Sequence, residues 1–162
     1  MFRKMRRYTQ QLPDNEAVEI LEKGSSGTLA VLGDEGYPYA VPISYVYADG
    51  KLYFHCAKEG HKLDAIRSCD KASFCVIAED NVVEGEFTTY FKSVIAFGKI
   101  RILENAAEIR SAIEILSDKY CHVGIDARNK EIDGAMNRLC MLEFTIEHLT
   151  GKEAKEIRAK RK

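Results

Sequence analysis

Hydrophobic and polar residues alternate with period two over several stretches of this chain, the mark of strands with one buried face. The pattern predicts strands at 27–32, 38–47, 51–54, 71–78, 88–103 and 139–146. In the longest, Val94, Ala96, Gly98, Ile100 and Ile102 share one face. Elsewhere the period lengthens to that of a helix. Val18, Ile20 and Leu21 give 15–24 an apolar side, with Asp14 placed to cap it and Gly24 to end it. Ile109, Ile113 and Leu116 do the same for 106–120, and shorter helices are expected at 61–68 and 131–137.

Punctuation between these runs sets the topology. Gly33-Asp34-Glu35-Gly36 reads as a turn, and Asp49-Gly50 is a strong hairpin signal. Pro42 lies inside a strand and cannot donate to a ladder. It therefore marks an edge, a bulge or a place where pairing stops. Residues 79–85 are acidic and read as a loop, as do 121–130, and the tail after Gly151 reads as a frayed, charged helix. Hairpins dominate the order of elements. That favours a mainly β fold, an antiparallel barrel with attached helices, over a doubly wound parallel sheet.

The 162 residues are enough for one domain, and 46% hydrophobic content is enough for its core. The formal net charge of −1 argues against nucleic acid as a partner. Basic residues gather only in the end segments 1–11 and 152–162, where solvated termini are the simplest reading. Cys56, Cys69, Cys75, Cys121 and Cys140 include no Cys-x-x-Cys pair and read as reduced thiols of a cytoplasmic protein. No apolar run approaches the roughly 18 residues of a membrane helix, and no secretory signal is expected.

Chemistry concentrates between Leu52 and Asp64. An apolar strand ends at Phe54, a glycine-containing turn follows, and a helix opens near His61-Lys62. Amide groups at a helix N-terminus beside a cation suit a phosphate. A lysine in a first helical turn opposes the helix dipole, so Lys62 asks for an anion. His55 and Cys56 stand just before the turn, where a flat ring could lie. Each also has a plainer reading, as a core histidine and a packing thiol. His55, Cys56 and His61 match no standard zinc spacing, and no metal is expected.

The runs Gly36-Tyr37-Pro38-Tyr39-Ala40-Val41-Pro42-Ile43-Ser44-Tyr45 and Tyr53-Phe54-His55-Cys56-Ala57-Lys58-Glu59-Gly60-His61-Lys62 resemble the nitroimidazole-resistance branch of the pyridoxamine-phosphate-oxidase-like flavoproteins. Tyr90 to Gly98, Met5-Arg6-Arg7 and Thr150-Gly151-Lys152 are similar to that branch as well. The resemblance covers most of the chain. It implies a split β-barrel of the FMN-binding type, a homodimer, and FMN held in clefts between subunits. By it, Val41, Pro42, Ile43 and Ser44 run along the flavin ring, and His55, Cys56 and Ala57 line the ring and ribityl chain. His61 and Lys62 hold the phosphate, and Ser93 reaches the flavin from the other subunit. His55 is the favoured active-site group.

Two departures stand out. The parent oxidases usually carry Arg-Lys where this chain has His61-Lys62, which removes a bidentate phosphate ligand. The basic patch for a pyridoxal phosphate is absent, so true pyridoxamine-phosphate oxidation is not expected. The resemblance therefore implies an FMN-dependent oxidoreductase for small electron-poor molecules such as nitroaromatics. The alternative is a flavin- or haem-binding module without turnover on the same barrel.

Overall fold

The structure, a computed structural model, describes residues 1–122 and 124–161. In chain order its elements are α1 (Asp14–Lys23), β1 (Ser26–Leu32), β2 (Pro38–Ser44), β3 (Val46–Ala48), β4 (Lys51–Ala57) and α2 (His61–Ser68). They continue with β5 (Lys71–Val83), β6 (Thr88–Ile102), α3 (Ala106–Tyr120), α4 (Ile125–Ala135), β7 (Leu139–Glu153) and α5 (Lys155–Ala159). The strands form one antiparallel sheet in the order β2-β1-β5-β6-β7-β4-β3. Its two edges, β2 and β3, are separated in sequence by Tyr45 alone. Edges joined by one residue must meet, so the sheet curls until it closes. The result is the split β-barrel that the hairpin order and the resemblance led one to expect.

Inward-facing residues fill the barrel. Leu29, Leu52, Phe54, Phe74, Val94, Ala96, Leu142 and Phe144 are inaccessible to solvent. Phe74 meets Tyr45 and Phe54 edge-on, at centroid distances of 4.8 and 5.2 Å. Helix α1 sends Ala17 and Leu21 into this core, and α2 sends Leu63, Ala65 and Ile66. The face expected on β6 is the buried one, from Val94 to Ile100. A second, smaller core lies outside the barrel. There Ala112, Ile113 and Leu116 of α3 and Ile132 of α4 cover Val46 and Met141.

At the strand switch the Tyr45 N–H keeps a long bond to the Ser25 carbonyl (3.4 Å), and α3 supplies a further partner for both backbone groups of Tyr45. The Tyr120 hydroxyl accepts from the Tyr45 N–H (3.1 Å) and lies 2.6 Å from the Tyr45 carbonyl, with the Ser25 carbonyl also in reach. The Tyr45 side chain points inward, where its hydroxyl donates to the Leu21 carbonyl at 2.8 Å. One residue thus links both sheet edges, α1 and α3. Beside this seam, buried Glu143 accepts from Lys51 (2.9 Å), Arg101 (2.8 Å) and Tyr53 (3.3 Å), tying β4, β6 and β7. Burial would raise its carboxyl pKa, but the bonds from Arg101 and Lys51 prevail and hold it below the usual range.

Several expectations are corrected. Asp14 is the first residue of α1 rather than its cap, and no side chain caps that helix. Gly24 does end it, with ordinary φ of −67°; its value is space, because a Cβ there would lie 2.6 Å from the Tyr45 hydroxyl. Of the three readings of Pro42 the edge is the one found: it pairs opposite Thr28 on edge strand β2, and the strand runs on to Ser44. The acidic segment 79–85 is mostly strand. After a bulge between Ile77 and Glu79, β5 pairs with β6 as far as Val83. Pairing along this exposed arm overrides the poor strand propensity of Asp80 and Asn81. Helix α4 begins at Ile125, inside the expected loop 121–130, and its Arg128 pairs with Asp118 of α3. Strand β4 runs on to Ala57, so His55 and Cys56 are strand residues. Strand β7 continues past 146 to Glu153, beside the bulge at Phe97/Gly98. There Gly98 is required, since a Cβ would stand 2.0 Å from the Thr145 carbonyl oxygen. The charged tail is short helix α5, and Arg161 beyond it lies 2.8 Å from buried Glu153. Val123, within the expected loop, and Lys162, at the end of the tail, lie outside the described residues.

If the Tyr120 hydroxyl holds the strand switch together, Tyr120→Phe should cost about 1–3 kcal/mol by removing the donor to the Tyr45 carbonyl, the Tyr45 N–H keeping its bond to the Ser25 carbonyl. Urea unfolding checks this, and a midpoint equal to wild type would remove the hydroxyl from the argument.

Candidate functional site at the barrel seam

The seam brings together the two sequence segments singled out for a flat ring. Strands β3 and β4 pair with Val46 opposite Tyr53. Ser44, the last residue of β2, and His55, two residues beyond Tyr53 on β4, flank that pairing on either side of the strand switch. Ser44 and His55 do line one cavity. Strand alternation then divides the set in two. Pro42, Ser44, His55 and Ala57 are exposed, and their side chains can meet a ligand. Val41, Ile43 and Cys56 pack against the barrel core, leaving mainly their backbone for a ligand.

Cys56 sits directly opposite Cys140. Burial pushes its thiol up to about 11, although the nearby Lys62 ammonium pulls the other way. Such a thiol is a packing group, not a nucleophile.

Helix α2 follows the turn, beginning at His61 as the sequence suggests. Gly60 precedes it at φ +127°, a conformation that favours glycine although a Cβ there would meet nothing. No side chain caps the helix, and the amides of Leu63 and Asp64 turn back to the Gly60 carbonyl. Lys62 is half-buried in the first turn, has no ion-pair partner among the described residues, and lies close enough to Cys56 to act on its thiol. A helix N-terminus without a cap and a lysine without a counter-ion can together hold an anion. His61 is already engaged. Its ring stacks on Tyr39 at 4.3 Å, and its Nε2 accepts from the Asp34 N–H at 3.4 Å. It pins α2 to the β1–β2 turn.

Ser93 does not join this group within one chain. It lies mid-sheet, paired with Ile77 and Lys152, and borders a separate hollow of about 250 Å³ with Arg3, Met5, Phe97 and His148. Among the described residues no three His, Cys, Asp or Glu side chains gather as a metal site, and no helix is long and apolar enough to cross a membrane.

The helical wall of the seam cavity was not among the sequence-based candidates. Ile113 and Leu116 belonged to an apolar helix side that reads as core, whereas Glu131, Ile132 and Ala135 gave no signal of a site. Only the fold places α3 and α4 over Ser44 and His55.

The same barrel recurs in solved structures, among them three that are less than 25% identical to this chain. A candidate 5-nitroimidazole antibiotic resistance protein of Bacteroides thetaiotaomicron superposes with a TM-score of 0.78 at 20% identity, over 88% of this chain and 86% of that one. An FAD-binding protein of Mesorhizobium loti matches at 0.63 and 24% identity, over 89% and 96%. An FAD- and haem-binding protein of Mycobacterium smegmatis matches at 0.73 and 21%, over 90% and 74%. These likenesses show the fold. No curated protein matches significantly. The family model for pyridoxamine 5'-phosphate oxidase matches residues 13–153, which take in every strand of the sheet and the first four helices. On that match the chain belongs to the pyridoxamine 5'-phosphate oxidase family.

Proposed function

We propose that this protein binds FMN at the barrel seam and reduces small electron-poor molecules, nitroaromatics among them. One observation carries the reading. Strands β2 and β4 expose Pro42, Ser44, His55 and Ala57, Ser44 and His55 line one cavity, and an uncapped helix N-terminus with Lys62 follows shortly after β4. The strands suit a flat ring, and the helix suits the phosphate at the end of its tail. Flavin-binding proteins among the structural neighbours support the same cofactor. The candidate nitroimidazole-resistance neighbour supports the substrate class.

A bound flavin would supply hydride and single-electron transfer. The residues around it would orient and tune. Lys62 and the α2 amides neutralise the phosphate, and His61 keeps that turn in place against Asp34. His55, on the exposed side of β4, is placed to hand a proton to the reduced product. Among the described residues no lysine or arginine lines the seam cavity, so a phosphorylated pyridoxamine is not the substrate proposed.

The site is completed by a second copy. Ser93 stands apart from His55 within one chain, on a sheet face where Ile77, Ile95 and Phe97 are exposed at 66%, 40% and 39%. Apolar surface of that kind suits an obligate interface. The chain is expected to scatter light as a dimer at micromolar concentration; a flavin-loaded monomer would contradict this.

A hydrogen bond to a charged group contributes about 1.5–3 kcal/mol, so Lys62→Ala should weaken FMN roughly 10- to 150-fold. Riboflavin, which has the ring without the phosphate, should lose far less. Fluorescence titration with both ligands decides the matter, and equal losses would displace the phosphate from Lys62.

His55→Ala should retain flavin and slow substrate reduction by about 10²-fold or more if His55 is a general acid. Anaerobic stopped-flow reoxidation with a nitroimidazole reads the rate. An unchanged rate with flavin in place would remove His55 from the chemistry.

A further inference from the structure

The cavity over Ser44 and His55 has a character of its own. Its volume is about 390 Å³, at the small end of the roughly 300–1,000 Å³ of ligand pockets. Its walls are mostly apolar: Ile113 and Leu116 of α3, Ile132 and Ala135 of α4, and Leu139 of β7. The Tyr120 hydroxyl on its border is taken up by the strand switch.

Among the described residues Glu131 of α4 is the cavity's one carboxylate, no lysine or arginine lines it, and His55 on the strand side is its one basic side chain. Several of the helix pair's other charges are tied up with one another: Arg128 meets Asp118, and Arg110 meets both Asp133 and Glu114. Glu131 has no hydrogen-bond or ion-pair partner among the described residues. A carboxylate without a counter-ion at the rim of an apolar hollow favours a positively charged guest and repels a negative one.

We propose that this cavity binds a small organic cation, its apolar body between α3 and α4 and its protonated nitrogen beside Glu131. Ser44 and His55 face the same guest from the strand side. Binding needs only the cavity and Glu131; that the guest is then reduced rests on the flavin reading above. Neutral molecules of the same shape enter less tightly, and carboxylates least.

Three isosteric probes test this: para-nitrobenzylamine, para-nitrobenzyl alcohol and para-nitrobenzoate, titrated by calorimetry into the purified protein near neutral pH. An exposed ion pair is a modest interaction, so the amine should bind about three- to fivefold tighter than the alcohol. The benzoate should bind more weakly than either. Glu131→Gln should bring the amine and the alcohol to equal affinity, and Glu131 is exposed enough for that variant to fold normally. Ala135→Trp, which fills the cavity, should weaken all three. If that variant unfolds, Ala135→Leu serves the same comparison. Equal affinities in the wild type, or an amine preference that survives Glu131→Gln, would overturn the proposal. So would unchanged binding in a folded Ala135 variant. A protein that takes up no flavin but keeps this order of affinities would sink the oxidoreductase reading and leave the cation site standing.

Discussion

The backbone of Tyr45 is the point on which this molecule turns. A strand that leaves one edge of a sheet and joins the other must break both ladders, and a buried peptide group without a partner costs about 1–3 kcal/mol. Tyr120 meets that cost from outside the barrel, while the Tyr45 hydroxyl meets the Leu21 carbonyl inside it. These bonds hold the switch where the two sheet edges meet. Helix α3 must lie where Tyr120 can reach the seam, and this fixes the helical wall of the cavity. Fold and site thus share one constraint: what closes the sheet also brings Ser44 and His55 to one cavity under α3 and α4.

Charge is distributed around this frame with a clear division. Structural charges are paired, as in Glu143 with Lys51 and Arg101, or Glu153 with Arg161. Lys62, in the first turn of α2, and Glu131, on the wall of the seam cavity, are not paired among the described residues. A lysine at a helix N-terminus is unfavourable by itself, and a carboxylate over an apolar hollow gains nothing from its surroundings. Each becomes favourable once a ligand of opposite charge arrives. A phosphate at one end and a cation at the other would give the seam a direction.

Much of the barrel could be read from alternation alone, because strands with one buried face leave an unambiguous period. The inward face of β6 is an example, from Val94 to Ile100. The arm of β5 beyond Ile77 was hidden, since Glu79, Asp80 and Asn81 are solvated on both sides and their strand conformation comes only from pairing with β6. The start of α4 was hidden for a related reason: its cross-helix ion pairs involve residues distant in sequence. Within the site, Gly60-His61-Lys62 was legible because turn, helix start and cation are contiguous. The meeting of Ser44 and His55 at one cavity depends on the strand switch, and Glu131 on the packing of a helix pair. Neither leaves a local trace. His61 was legible as a polar group at the turn, but its stacking on Tyr39 and its bond from Asp34 required the fold.

The claim that the seam is a flavin site is tested most directly by the absorption spectrum of the protein as purified, followed by titration with FMN. Flavin absorbance that saturates at one FMN per chain, and that falls away in Lys62→Ala at the same FMN concentration, is the expected result. A colourless protein that binds no added FMN would contradict the assignment, whatever the barrel's likeness to other flavoproteins.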